Sequence, residues 1–433
     1  MKIPESILAS GLTEQDVWQT LSNTYTPGFM QMHLRVHFTG LFKDMLSKED
    51  QGSFFHEYVH YLQNLTTPWG LYTSMVCYLE MVDTYKFIQE STEPILLPLS
   101  IDFGEVANRK KEIIRIGNGQ NPFRSVLGSL VIDRTQKIVW HRQLKDIGGK
   151  KYPYIILEIP CMDNIKSVNF GAYIIKESMA AMCQMLYDQS ATHPEHDLPY
   201  NLVKILAEQS FPNIADDNKK LISICYLSLF SLSPAEVLFD QLDYANNNPH
   251  ISGTELLEKF VSESRITING KSGVSVVDFF EDIANRFEKI LSSSLGLGLD
   301  YIHEAISRVR LSKGTCPIIS AIYDESFGED VIQGLIDHVG IPYIYTDYDE
   351  YHYPESVKEP GEASSDMVSL IGQHAIYQYM VHPNPYRCCP LYYMCKNSPF
   401  NKEECFDAPW KGHRCVMTVM GNHIGLDKKD IHW

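Results

Sequence analysis

Residues 47 to 66, SKEDQGSFFHEYVHYLQNLT, constrain the fold of this 433-residue chain more than any other stretch. Ser47-Lys-Glu-Asp50 has the form of an N-capping box, and Phe54, Phe55, Val59 and Leu62 supply apolar packing faces at helical spacing. The segment therefore predicts a helix opening at Ser47 and running to about Asn64. Thr66-Thr-Pro-Trp-Gly70 stops it, because proline lacks the N–H that continues the ladder. A second helix is expected from Leu71 to about Gln89. Upstream, residues 29–39 alternate, with Met32, Leu34, Val36 and Phe38 on one face and Gln31, His33, Arg35 and His37 on the other, which predicts a half-exposed strand.

The predicted helix carries His56-Glu57-Tyr58-Val59-His60. Two histidines four residues apart project from one side of a helix about one turn from each other, so both can reach a single ion. Glu57, beside the first of them, is placed to accept a proton from water activated by that ion. Hydrolytic zinc needs three protein ligands and one open position, so a further ligand must come from elsewhere in the chain. The plainer alternative is a pair of satisfied histidines on a core helix. The capped helix and the strand before it favour the metal.

Phe55-His-Glu-Tyr-Val-His-Tyr-Leu-Gln63 resembles the active-site helix of the zincin metallopeptidases. The resemblance covers about 30–65 well and 170–188 moderately. It implies an α+β, zincin-like core and zinc-dependent hydrolysis of peptide bonds in a protein or peptide substrate, with Zn2+ held by His56 and His60 and Glu57 as general base. It also implies that the strand at 31–39 is the sheet edge that pairs with an extended peptide. The residues after His60 (Tyr61-Leu-Gln-Asn-Leu-Thr) lack the glycine and third histidine of metzincins, so the third ligand should be a downstream glutamate, as in gluzincins.

Two glutamates compete for that place. Glu80 follows His60 by 20 residues, the short spacing, but lies among bulky neighbours. Glu177 follows by 117 residues, within Gly171-Ala-Tyr-Ile-Ile-Lys-Glu-Ser-Met-Ala-Ala181, which resembles the third-ligand helix of gluzincins. Its small residues permit a close helix–helix approach, and Glu177 is the assignment taken here. That choice makes 90–168 an insertion between ligands. The group that steadies a developing oxyanion is a Tyr or His in such sites; Tyr173, His193 and His196 are candidates by proximity to Glu177 alone.

The rest of the chain reads as a series of regions. Residues 1–198 form the zincin-like catalytic region, its insertion carrying strands at 125–133, 136–143 and 152–159, and 171–188 forming a helix. Residues 199–311 read as successive helices (199–210, 217–231, 234–245, 254–263, 275–293 and 299–311). Residues 312–346 suggest a small α/β unit with a strand at Pro317–Tyr323, a helix at Gly328–Val339 and a strand at Ile341–Tyr345. An acidic linker (347–365) leads to a helix near 366–381 and a Cys-rich tail, which together make up 366–433. The tyrosine-rich stretch Tyr343 to Tyr353 is expected as a solvated loop.

A formal charge of −17 argues against a nucleic-acid or anionic-membrane partner, since both require a basic footprint. The most apolar run, Leu221 to Leu232, is too short to cross a bilayer. The first residues, MKIPESILASGLTEQDVW, lack the apolar run of a secretory signal, so a reducing, cytoplasmic setting is expected. Cys77, Cys161, Cys183, Cys225 and Cys316 read as ordinary buried thiols. Cys389, Cys395, Cys405 and Cys415, with Cys388 and His413 nearby, offer a second, structural zinc or an iron–sulfur cluster, with disulfides or unlinked thiols as the alternatives. The rival to the enzyme is a non-catalytic binding or regulatory protein on a zincin scaffold. Intact His56, Glu57 and His60 favour the enzyme.

Overall fold

A computed structural model describes residues 23–27, 30–102, 104–119, 132–161, 165–191, 197–268, 271–294, 300–310, 316–348, 350–354, 362–381, 389–391, 408–411 and 415–432. The chain is α+β, with many helices and four small sheets among the described residues.

The described residues begin with β1 (Thr24–Thr26) and β2 (Gln31–Leu34), followed by α1 (Lys48–Thr66) and α2 (Pro68–Glu90). Ser47 caps α1 by accepting the N–H of Asp50 at 3.0 Å, as the sequence predicts. The turn between the two helices is a single residue. Thr67 donates its hydroxyl to the Gln63 carbonyl and accepts the N–H of Gly70, ending α1 and starting α2 at once. The corner is tight enough that a Cβ on Gly70 would lie 2.4 Å from the Asn64 carbonyl oxygen.

The insertion contributes β3 (Ile95–Leu96), α3 (Gly104–Asn118) and an antiparallel sheet of β4 (Val139–Ile147), β5 (Lys150–Pro160) and β6 (Ile165–Phe170). Of its expected strands, 125–133 lies mostly outside the described residues, with Ile132 in one isolated bridge to Cys161. The expected strands at 136–143 and 152–159 correspond to β4 and β5. The helix α3 and the strand β6 are not foreshadowed in the sequence.

From β6 the chain enters α4 (Ala172–Tyr187), the helix that bears Glu177. Then come α5 (Leu202–Ser210), α6 (Asn218–Ser228), α7 (Pro234–Asn247), α8 (Gly253–Glu263), α9 (Val276–Ser294) and α10 (Asp300–Arg310), all near their expected places. A hairpin of β7 (Arg265–Ile268) and β8 (Lys271–Ser275) interrupts them. Residues 221–228 of the apolar run are buried in α6, and among the described residues no helix is long and apolar enough to cross a membrane.

Pro317–Tyr323, expected as a strand, is a helix, α11. Its buried residues Ile318, Ile319 and Ile322 keep helical spacing, and Pro317 occupies the first turn, where a missing N–H costs nothing. An apolar run this short does not decide its own period. After α12 (Glu329–Val339) come β9 (Tyr343–Thr346) and β10 (Tyr351–His352). These strands join the N-terminal ones in a sheet of order β1-β2-β9-β10, with β2 and β9 parallel and the outer pairs antiparallel. The Tyr58 hydroxyl on α1 donates to the Gly340 carbonyl at 2.8 Å and ties this region to the central helix.

That sheet overturns two expectations. The strand at 29–39 is only four residues long and buried on both faces, and β1 and β9 pair with both of its edges. It is therefore an interior strand and not the sheet's edge. His33, on its polar face, is buried against Asp347 at 2.8 Å and stacks on Tyr345. The tyrosine-rich stretch is likewise no solvated loop at its start, since Tyr343, Ile344 and Tyr345 are buried in β9. Last come α13 (Glu362–Val381), which begins inside the expected linker, α14 (Val416–His423) and β11 (Ile431–His432), which pairs with β3.

One continuous apolar core runs through the molecule, from Phe54 and Leu62 of α1 through Ile175 and Met179 of α4 to Phe287, Ile336, Ile344 and Tyr379. A small satellite of Ile113, Ile116 and Ile147 fixes α3 on the β4–β5 hairpin.

Candidate metal centre

The centre lies between α1 and α4. Gln51 accepts the Tyr187 hydroxyl near one end of the pair, and Gln63 donates to the Lys176 carbonyl near the other, so the helices run antiparallel. Their approach is close because Ala172, Ser178, Ala180 and Ala181 are fully buried small residues. Gly171 starts α4 against the end of α3, where a Cβ would come within 2.5 Å of the backbone of Asn118 and Gly119. The insertion thus braces the helix that carries Glu177.

His56, His60 and Glu177 converge, their ligand atoms all within 4.8 Å of one another. The Glu177 carboxylate oxygen Oε2 is 3.5 Å from His56 Nε2 and 3.4 Å from His60 Nε2. Ligands about 2.0–2.2 Å from a tetrahedral zinc stand roughly 3.4 Å apart, so both separations fit the edges of such a site. The two imidazoles lie 5.0 Å apart, centre to centre, in a T-shaped arrangement. Burial raises the Glu177 pKa, but the His60 and His56 charges and hydrogen bonds outweigh it and hold the carboxylate well below its usual range. Glu177 therefore remains an anion, as a zinc ligand must.

Glu80 is elsewhere. Its carboxylate accepts the Tyr377 hydroxyl at 2.8 Å and pairs with Lys111 at 3.4 Å, joining α2 to α13 and α3. Of the two competing glutamates, the structure brings only Glu177 to the histidines.

Glu57 is 8% exposed. Burial raises its pKa first and the Glu177 carboxylate adds to this, while His56 and the Tyr25 backbone N–H oppose it, leaving the value at about 7. One residue of β1 meets successive turns of α1. The Tyr25 N–H reaches Glu57, its ring packs edge-on against Tyr61, and its hydroxyl accepts from Asn64. Residues 57, 61 and 64 form one stripe of the helix, next to the stripe of 56, 60 and 63 that faces α4.

Tyr200 was not among the sequence candidates. It lies in a short kinked turn, Asp197–Asn201, in which Leu198 is extended, with its ring 5.8 Å from that of His56. Burial, then the charges of Glu177 and Glu57 and the nearby Tyr173 phenol, hold its hydroxyl in the protonated form. Ser178 of α4 donates to the Pro199 carbonyl at 2.7 Å, and Asp197 accepts from Arg134 at 2.7 Å, so both α4 and the insertion fix this turn. His193 and His196 lie outside the described residues. Nothing in the spacing of the sequence marks Tyr200; its only signal is its place shortly after the Glu177 helix.

In the tail, Cys389 is buried and Cys415 caps α14 by accepting the Thr418 N–H at 3.4 Å. Cys388, Cys395, Cys405 and His413 lie outside the described residues. Cys183, Cys225 and Cys316 are buried thiols as expected, whereas Cys77 and Cys161 are partly exposed.

No protein-family model matches this chain, and comparison with curated proteins and with solved structures finds no match either.

Proposed function

We propose that this chain is a zinc-dependent metallopeptidase of the zincin kind, acting on a protein or peptide, with His56, His60 and Glu177 holding the metal. The observation that carries the reading is the meeting of three ligand atoms at separations of 3.4 and 3.5 Å beside a buried carboxylate on the same helix. When bound, zinc supplies Lewis acidity, which makes water nucleophilic near neutral pH and polarises a carbonyl. Glu57 accepts the proton from the attacking water and returns it to the leaving amine. Burial, which raises the pKa of this carboxyl, makes it a better proton acceptor than a solvated glutamate. The Tyr25 N–H fixes the orientation of that carboxylate. Tyr200, kept protonated beside His56, donates a hydrogen bond to the oxygen on which negative charge develops.

The test is metal analysis of the purified protein and of the His56→Ala, His60→Ala double variant, together with hydrolysis of a peptide library. Zinc retained at full content by the double variant would end the reading. Zinc lost from the double variant, with no cleavage by the wild type, would favour the non-catalytic scaffold.

A further inference from the structure

The side chain of Gln63 is 1% exposed and sits between the two helices of the metal centre. Its amide makes two bonds: Nε2 donates to the Lys176 carbonyl at 3.1 Å, and Oε1 lies 2.9 Å from His60 Nδ1. A backbone carbonyl can only accept, so it decides which way round the amide lies. The amide oxygen then has to face His60, and an amide oxygen can also only accept. His60 Nδ1 must therefore carry the proton, and in the neutral imidazole Nε2 is left with a bare lone pair. With Nδ1 committed to Gln63, Nε2 is the nitrogen that faces the Glu177 carboxylate across 3.4 Å, and it is the one His60 can offer to a cation there.

We infer that Gln63 is a positioning residue that sets the tautomer of His60 from a backbone carbonyl one residue before Glu177. The relay runs Lys176 carbonyl, Gln63 amide, His60 imidazole, and it makes the presentation of the second ligand depend on the docking of the helix that carries the third. Partners behind a ligating histidine commonly fix its tautomer and orientation, and losing one costs about 10–100-fold in metal affinity. The inference rests on the zinc reading for its consequence, but not for the tautomer, which follows from the two Gln63 hydrogen bonds.

The experiment uses the full chain in wild-type, Gln63→Leu and Gln63→Glu forms. Zinc affinity is measured by competition with a chelator, and the His60 tautomer by 15N shifts of the imidazole in metal-free protein. Wild type should show the Nδ1–H form. Gln63→Leu, similar in bulk but with no acceptor, should bind zinc about 10–100-fold more weakly and show a share of the Nε2–H form. Gln63→Glu keeps the acceptor for His60, so its affinity should stay within about tenfold of wild type. An Nε2–H tautomer in wild type, or Gln63→Leu binding zinc as wild type does, would overturn the inference. Wild type that binds no zinc yet shows the Nδ1–H form would sink the metal reading and leave the tautomer assignment standing. Should Gln63→Leu not fold, the wild-type tautomer and the glutamate variant still decide.

Discussion

Replacing Glu57 by glutamine should abolish hydrolysis and, in metal-free protein, stabilise the fold. The carboxyl is buried beside Glu177, which raises its pKa from the ordinary 4.5 to about 7. In the unfolded chain it ionises near its ordinary value. Between about 4.5 and about 7, folding therefore takes up a proton, so stability from this group falls as pH rises through that window and is fully lost above it. A tenfold change in proton affinity is worth about 1.4 kcal/mol, so the gap between 4.5 and about 7 corresponds to about 3 kcal/mol. Glutamine carries no charge to bury, and its carbonyl can still accept the Tyr25 N–H. Urea denaturation of both proteins in the presence of a chelator should show nearly equal stability at the acid end. The variant should gain as pH rises and exceed wild type by about 3 kcal/mol near pH 8. A difference flat with pH, or a less stable variant at pH 8, would refute the argument that burial and Glu177 strain this carboxylate. The same variant should keep its zinc and lose nearly all turnover, because glutamine cannot take the proton.

Glu177→Ala should weaken zinc binding by at least about 100-fold in a chelator competition, the loss expected for a direct ligand being larger than for its supporting partners. Glu80→Ala should leave zinc affinity within a few-fold and destabilise the fold by about 1–3 kcal/mol, by removing the acceptor of the Tyr377 hydroxyl and the partner of Lys111. Tyr200→Phe should keep full zinc content while kcat on a peptide substrate falls about 100- to 1000-fold, the usual loss of one oxyanion donor; an unchanged kcat would remove it from the mechanism. Gly171→Ala should cost about 1–3 kcal/mol in denaturant, because its Cβ meets backbone atoms of Asn118 and Gly119 at 2.5 Å and no rotamer can yield. Zinc affinity should fall with it, as α4 is pushed from its seat.

Where the sequence was legible, local chemistry decided the structure. Ser47 caps α1 because a hydroxyl three residues before Asp50 satisfies an N–H that nothing else in the chain reaches as cheaply. Thr67 and Pro68 end one helix and start the next for equally local reasons. The misreadings share a different cause. The alternation at 29–39 describes a strand with one wet face, yet β1 and β9 cover both edges, and Asp347, over 300 residues away, satisfies His33 on the face that reads as polar. No window along the chain contains that partner. Pro317–Tyr323 fails for a related reason: seven apolar-rich residues fit either period, and contacts with distant helices choose the helical one.

At the candidate site, the helical pair His56 and His60 and the neighbouring Glu57 follow from spacing alone, since one turn of helix brings them together whatever the rest of the chain does. The third ligand does not. Spacing favoured Glu80 and small neighbours favoured Glu177, and Glu177 is the one that meets the histidines. Loop closure explains why distance was the weaker guide. Its entropy grows only logarithmically with length, so lengthening the connection from 20 to 117 residues costs on the order of 1–2 kcal/mol. A bulky helix face, by contrast, holds a carboxylate out of a metal's reach altogether. The inserted residues also offset part of that cost, because α3 ends against Gly171 and Arg134 clamps the turn bearing Tyr200. A segment that looks in sequence like a gap between ligands thus supplies the wall against which the third ligand and its neighbouring tyrosine are set. It follows that trimming 90–168 to restore the short spacing would remove the support of Glu177 without moving it closer to His60.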